Sequence, residues 1–236
     1  IRRLGCTKIQ MGIQSLDQHL LDINERRITV AQIERAFSLA RLFGFKIHAH
    51  FMLNLLGATP EGDKRDYERF MTEGAFMPDE VKVYPCALIE GSRLVGCYER
   101  GEWRPYTEEE LLDVLAEHNV QGLSIANLQK DRTGLEIPRD WEGGLSGGPC
   151  TNASTELIRK VYKEYGDRFA IAGIGGVFTP EQAYAKIRSG SSLVMFISSL
   201  MYRGPQQITV LKRGLAQLLR RDGFEHVSDA VGVDVE

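Results

Sequence analysis

No stretch of this sequence approaches the roughly 20 consecutive apolar residues that a membrane-spanning helix needs, so no membrane segment is expected. Cysteine is scarce. Cys6, Cys86, Cys97 and Cys150 are far apart and form no Cys-x-x-Cys pair, which argues against a zinc or iron–sulfur site built from this chain and for a reducing, cytoplasmic compartment. Neither sign of charge dominates: 29 Lys and Arg stand against 32 Asp and Glu, a formal net charge of −3, so electrostatics give no reason to expect nucleic acid as a partner. The doublets Arg2-Arg3, Arg26-Arg27 and Arg220-Arg221 are isolated and read as solvated positions. No short repeat or low-complexity tract is present. Ile1-Arg2-Arg3-Leu4 is followed by no apolar region of the signal-peptide kind, and the sequence begins as though cut from something longer.

What is present is alternation. Strand-like runs at 7–13, 46–53, 80–85, 122–126, 169–172 and 193–197 are separated by helix-like runs at 29–43, 64–73, 107–118, 154–165 and 180–189, with a last helix at 205–222. Thr107 with Glu110 makes a capping box ahead of the apolar stripe Leu111, Leu112 and Leu115. Strict alternation predicts a parallel sheet with right-handed helical crossovers. Six such units are two short of a closed eight-stranded barrel. The expected fold class is therefore α/β, TIM-barrel-like (βα) units with about six parallel strands in a partial or compressed barrel, residues 1–236 forming one domain. Open sheet edges are a pairing hazard, so a homo-oligomer joined through them is expected to be one way of covering them.

The most informative local feature is Gly173-Ile174-Gly175-Gly176, followed some twenty residues later by Ser198-Ser199. Glycines after a short apolar run let the backbone turn and approach a ligand closely. Thr179-Pro180-Glu181-Gln182 then opens a helix with an N-cap, a proline at the first turn and a capping-box glutamine. In α/β barrels the loops after the last two strands form a common phosphate site. Ordinary turn chemistry is the alternative for the glycines alone; the serine pair favours a cradle for a phosphate-bearing small molecule. A side chain at Gly176 is expected to occupy the phosphate's place.

Other residues carry weaker signals. His48-Ala49-His50 places two imidazoles on one strand face, where they could share a metal. Asp79 and Glu80 lie at the other end of their own strand, however, and an ordinary histidine with an ordinary partner is the competing reading. The glycine-rich, charged loop 129–148, with Lys130-Asp131-Arg132, suits a lid or a solvated excursion equally. Phe196, Met201 and Tyr202 read as core packing, and Cys150 has no neighbouring histidine or second cysteine in sequence to make it reactive.

Two sets of motifs carry family resemblances. Gly122-Leu-Ser-Ile-Ala-Asn127, Gly143-Gly-Leu-Ser-Gly147, Ser154-Thr-Glu-Leu-Ile-Arg159, Gly173-Ile-Gly-Gly176, Gly190-Ser-Ser-Leu-Val194, Tyr202-Arg-Gly-Pro205 and Asp229-Ala-Val-Gly232 make residues from about 119 onward similar to the C-terminal part of dihydroorotate dehydrogenase of the membrane-associated, quinone-using class. That family is a flavin-binding α/β barrel, an oxidoreductase of pyrimidine biosynthesis that converts dihydroorotate to orotate. The resemblance implies FMN at Gly147, Gly176, Ile197 and Ser198, the last three near its phosphate beside Gly175, and orotate hydrogen-bonded by Asn127. It also shows departures. Ala126-Asn127-Leu128 stands where the family has Thr-Asn-Thr, and each lost hydroxyl leaves a polar partner unpaired at a cost of roughly 1–3 kcal/mol. The family's serine base and flavin-contacting lysine belong to earlier strands with no counterpart here.

Leu4-Gly-Cys-Thr-Lys-Ile-Gln-Met-Gly-Ile-Gln-Ser15, His50-Phe-Met-Leu-Asn-Leu-Leu-Gly57, Ala58-Thr-Pro-Glu61, Val81-Lys-Val-Tyr-Pro85 and Gly101-Glu-Trp-Arg-Pro-Tyr106 make residues 2–116 similar to the radical SAM domain of the Elongator catalytic subunit, itself a partial α/β barrel. The cysteine triad that holds that family's iron–sulfur cluster lies on a strand absent here, so no cluster is expected. The two resemblances meet within the helix at 107–118. They imply a chimera of a radical SAM-like half, 1–116, and a dihydroorotate dehydrogenase-like half, 117–236, with FMN phosphate binding surviving better than turnover. A catalytically silent scaffold is the alternative.

Overall fold

The computed structural model describes residues 1–116, 120–126, 128–129, 131–137 and 143–236. The chain divides into two compact units, Ile1–Asn119 and Val120–Glu236. Each holds a three-stranded parallel sheet, so the α/β class and the six parallel strands are present. The strands form two sheets, each open at both edges among the described residues.

The first unit runs β1 (Lys8–Gln14), α1 (Gln18–Ile23), α2 (Val30–Leu42), β2 (Lys46–Leu53), α3 (Pro60–Thr72), β3 (Glu80–Pro85), α4 (Arg93–Glu99) and α5 (Glu108–Ala116), with strand order β1-β2-β3. The strands obey the period of two. Ile47, Ala49, Phe51 and Leu53 of β2 are buried, while Lys46, His48, His50 and Met52 occupy the other face. Phe51 stacks on Phe70 at 5.4 Å and meets Tyr67 edge-on at 5.3 Å, and Phe37 of α2 closes the group against Phe70 at 6.3 Å. These fully buried rings are the centre of the unit.

Two buried aspartates of α3 hold the strand ends. Asp66 accepts the Leu16 N–H at 3.0 Å and the Ser15 hydroxyl at 2.5 Å, and Asp63 accepts the Asn54 N–H at 2.7 Å. Burial pushes the Asp63 carboxyl up to about 6 and raises that of Asp66. The short helices α1 and α4 were not expected from periodicity. The Asp17 carboxylate starts α1 by accepting the N–H groups of His19 and Leu20.

The second unit runs β4 (Gly122–Ile125), α6 (Thr151–Tyr165), β5 (Ala170–Ile174), α7 (Pro180–Arg188), β6 (Ser191–Met195), α8 (Ser198–Arg203) and α9 (Gln206–Arg221), with strand order β4-β5-β6. Ile158 and Val161 of α6 are buried, as is Ile171 of β5. Tyr184 and Ile187 of α7 form a buried cluster with Ala230, edged by Leu215, Leu218 and Leu219 of α9. Two strand boundaries differ from expectation. β5 continues through Gly173 and Ile174, because a β-carbon on Gly173 would lie 2.3 Å from Ser191 Oγ; glycine here marks close strand packing, not the strand's end. β6 begins two residues early, pairing Ser191 with Ile171, and Ile197 has already left it at ψ −55° as the residue before α8. Met201 and Tyr202 therefore sit on a helix, 79% and 83% exposed, and are not core; Phe196 alone of that group packs against buried residues.

Phe51→Ala should lower the urea midpoint of the first unit by the equivalent of about 3–5 kcal/mol with an unchanged m-value. The measurement is unfolding followed by circular dichroism at several urea concentrations.

Candidate functional site

β5 delivers the chain at Ile174 into two glycines with left-handed backbones, Gly175 at φ +105° and Gly176 at φ +69°. The loop lies on the first turns of α6. The Gly175 carbonyl oxygen is 3.2 Å from Ser154 Oγ, and that of Gly176 is 2.9 Å from Thr151 Oγ1. Across a trans peptide the N–H points opposite to the carbonyl. Two successive carbonyls turned toward α6 therefore turn the N–H groups of Gly176 and Val177 away from it. Among the described residues neither N–H has an acceptor.

The loop is fixed beyond this point as well. Gln182 Oε1 accepts the N–H groups of Phe178 at 2.8 Å and Thr179 at 3.0 Å, and Arg203 and Gln207 each donate to the Phe178 carbonyl at 2.8 Å.

The second strand end completes the site. After β6 the chain turns at Ile197 into α8, whose first N–H groups, those of Ser198 and Ser199, also lack an acceptor among the described residues. The Ser199 side chain is 1% exposed, and its hydroxyl is buried without a hydrogen-bond partner. Gly147, at φ +73°, comes in beside Ser198: a β-carbon there would be 3.4 Å from Ser198 Oγ. Gly147, Gly175, Gly176, Ile197 and Ser198 thus line one cleft of about 20 Å³, together with Ser146, Val177 and Ser199. A single water needs about 10–15 Å³ on that scale, so the cleft holds one small polar group and not a ring system. Four unpaired amides and one orphaned hydroxyl around such a space make an anion cradle of the nest type. Ser146 and Val177 are absent from the residues that the sequence points to; a backbone N–H leaves no trace in residue type.

Gly176 acts differently from the expectation. A β-carbon on it would fall 2.1 Å from Thr151 Oγ1 and 2.6 Å from Thr151 Cα and N. The glycine makes room for α6, not for the ligand. Asn127, assigned to substrate, lies outside the described residues, as do Lys130, Arg139, Asp140 and Glu142 of the charged loop. Cys150 is buried with its thiol donating to the Leu145 carbonyl at 3.0 Å.

In the first unit the histidine pair shares a sheet face, rings 5.1 Å apart and edge-on. Glu80 does begin β3, but the β2–β3 register still puts it opposite His48, with its carboxylate 3.5 Å from Nδ1. Lys8 already engages both oxygens of that carboxylate at 2.7 and 2.8 Å, holding its pKa down, and His50 Nδ1 is bonded to the Tyr84 hydroxyl at 2.7 Å. Among the described residues no three His, Cys, Asp or Glu side chains are grouped to hold a metal ion. A larger cavity of about 270 Å³ is bordered by Cys86, Cys97, Glu25 and Arg93, and its two charged residues pair with each other.

Comparison with known proteins falls mainly on the second unit. Residues 104–219 match the family model of dihydroorotate dehydrogenase. The dihydroorotate dehydrogenase (quinone) of Deinococcus deserti is 48% identical over 116 residues, 49% of this chain and 32% of its own length. The chain thus spans about a third of that curated relative. Among solved structures, a ligand-free dihydroorotate dehydrogenase from Eimeria tenella aligns with a TM-score of 0.60 at 25% identity, covering 86% of this chain and 60% of that one. The archaeal Elp3 of Methanocaldococcus infernus aligns over 48% of this chain and 27% of its own at 37% identity, with a TM-score of 0.46. The second unit is a dihydroorotate dehydrogenase-like fragment. No helix among the described residues is long and apolar enough to cross a membrane.

Gly176→Ala should destabilise the second unit by about 2–4 kcal/mol, since it combines a left-handed backbone with a backbone collision. Gly148→Ala, whose β-carbon meets nothing within 4 Å, should change stability by less than about 1 kcal/mol. Thermal unfolding of the two variants side by side checks both.

Proposed function

We propose that this chain joins two half-barrels within the crossover at α5 and that its second half retains the phosphate site of a flavin mononucleotide pocket without the machinery for turnover. The observation that carries the reading is the cradle: Gly176, Val177, Ser198 and Ser199, whose N–H groups lack acceptors among the described residues, line one small cleft, and the Ser199 hydroxyl is buried there without a partner. Dihydroorotate dehydrogenase-like sequence around that cleft supports FMN as the phosphate's bearer. Gly147 and Ile197 border the same space and would hold the ligand through their backbones.

FMN, when bound, supplies two-electron redox chemistry. The chain's own contribution is narrower: backbone donors hydrogen-bond the phosphate, and the buried Ser199 hydroxyl gains the partner it lacks. Oxidation of dihydroorotate also calls for a base, a seated ring and a closed substrate loop. Ala126 and Leu128 carry no hydroxyl for that ring and substrate, Asn127 alone of its triplet keeps the substrate-binding side chain, and no base is assigned. Binding is therefore separable from catalysis, and a dihydroorotate dehydrogenase activity of this chain is not part of the proposal. A homo-oligomer through the open edges of β1, β3, β4 or β6 is one way of covering them.

Titration with FMN, followed by quenching of flavin fluorescence, tests the site with riboflavin as the phosphate-free control. FMN should bind and riboflavin should bind at least about tenfold more weakly. Ser199→Ala should weaken FMN about five- to tenfold, while leaving the free protein as stable or up to about 1–2 kcal/mol more stable, because an unsatisfied buried hydroxyl is removed. Absence of quenching up to about 1 mM FMN would identify the chain as a silent scaffold.

A further inference from the structure

Lys186 is unusual among the charged residues of this chain. It lies on the buried face of α7 with Ala183 and Ile187 and is 0% exposed. Long cationic side chains ordinarily keep their charge in water or pair with an anion when buried. Lys186 does neither. Its ammonium donates to Ser154 Oγ at 2.5 Å and to Thr155 Oγ1 at 3.1 Å, both neutral hydroxyls of α6, and among the described residues no carboxylate pairs with it. Arg188 and Tyr184 stand two positions away on either side along α7, engaged with Asp222 and Asp234. Arg159 of α6 reaches past to Ser189 Oγ, β6 offers no titratable side chain, and the Cys150 thiol is the titratable group that acts on the ammonium.

The hydroxyl that receives the ammonium is also the one that holds the loop from behind the cradle. Ser154 Oγ lies 2.6 Å from the Cys150 carbonyl and 3.2 Å from the Gly175 carbonyl. Because Lys186 occupies an acceptor site on that oxygen, the serine proton is left for those carbonyls. The chain Lys186–Ser154–Gly175 therefore sets the plane of the Gly175–Gly176 peptide, whose N–H is a cradle donor.

We propose that Lys186 is a positioning residue of the anion site: through Ser154 it fixes the Gly175–Gly176 peptide, and its buried charge is the counter-charge that a bound phosphate completes. This rests on the phosphate-site reading above and names the residue behind it. The unmatched charge gives the site a pH signature. Burial pushes the Lys186 ammonium down to about 8, so in the free protein the charge is lost as pH rises through that value. The fold then binds fewer protons than the unfolded chain between about pH 8 and the ordinary lysine range near 10.4. Stability of the free protein consequently rises with pH across that window, while phosphate affinity falls.

The experiment measures FMN and inorganic phosphate binding from pH 7 to 10, where a phosphate monoester is already largely dianionic, in the wild-type chain, Lys186→Met and Ser154→Ala. Wild-type affinity for FMN should drop about tenfold between pH 7 and 10. Lys186→Met should bind FMN about tenfold more weakly at pH 7 with a flat profile above it, and riboflavin binding should be the same in both. Ser154→Ala, which breaks the link while keeping the lysine, should weaken FMN severalfold and retain the pH dependence. Lys186→Met binding FMN with wild-type affinity and profile would overturn the proposal. Should FMN fail to bind the wild-type chain, the flavin reading falls and inorganic phosphate still decides the lysine's role. Phosphate raising the melting temperature of the wild type but not of Lys186→Met supports it, and an equal or absent rise in both overturns it. If Lys186→Met does not fold, the wild-type pH profile and Ser154→Ala carry the same decision.

Discussion

The second unit is organised around one close approach, that of the Gly175–Gly176 loop to the first turns of α6. No β-carbon fits at either glycine: Gly176 has Thr151 atoms at 2.1–2.6 Å from where it would be, and Gly175 has the Ala126 carbonyl oxygen at 2.8 Å. Contact at that distance lets Thr151 and Ser154 reach the two loop carbonyls, and capturing the carbonyls is what turns the N–H groups outward. The anion cradle is in this sense a by-product of packing. Glycine serves there to bring a helix against a loop, and the ligand-facing donors follow from the planarity of the peptide.

The first unit is made of the same strand–helix pieces and spends its polar groups differently. Lys8 and Glu80 neutralise each other across the sheet, His50 is tied to Tyr84, and Asp63 and Asp66 are used on the backbone N–H groups of Asn54 and Leu16. Those aspartates lie at the ends of β2 and β1 and present acceptors where an anion needs donors. Their raised pKa values are the cost of that arrangement: folding favours the neutral acids. Repetition of the same architecture thus yields one set of strand ends closed by carboxylates and one left open with unpaired amides. Fold class does not choose between the two; the residues at the strand ends do.

Much of this was legible in the sequence, and what was not has identifiable causes. Alternating apolar runs located all six strands because their period is local, and Thr179 with Gln182 located the start of α7 because the capping box is written in side chains. β6 was misplaced by two residues because Ser191 and Ser192 carry no hydrophobic signal, although the ladder to β5 includes Ser191. Reading Met201 and Tyr202 as core misses α8, a helix too short for its own periodicity to show. Glycine and serine pointed to the right cleft, yet the role of Gly176 was misassigned, since residue type reveals that a β-carbon is excluded and not what excludes it. Lys186 left one clue, a charged residue on the apolar stripe of α7, and its meaning depends on Ser154, thirty-two residues earlier, which only the packing of α6 on α7 connects to it.

Phosphate recognition and redox turnover make unequal demands on a barrel. An anion held by backbone amides needs two adjacent strand ends and the helix behind them, all of which lie within residues 147–199 of this chain. Proton abstraction from a substrate needs side chains contributed by distant strands and held to fractions of an ångström. A partial barrel therefore loses catalysis with the first missing strand and keeps phosphate binding until the β5–β6 pair itself is broken. Ala126 and Leu128, on the segment leaving β4, carry no hydroxyl, whereas Gly175, Ser154 and the buried Lys186 form a continuous hydrogen-bonded chain. A cradle built largely of main chain is constrained by packing before it is constrained by activity.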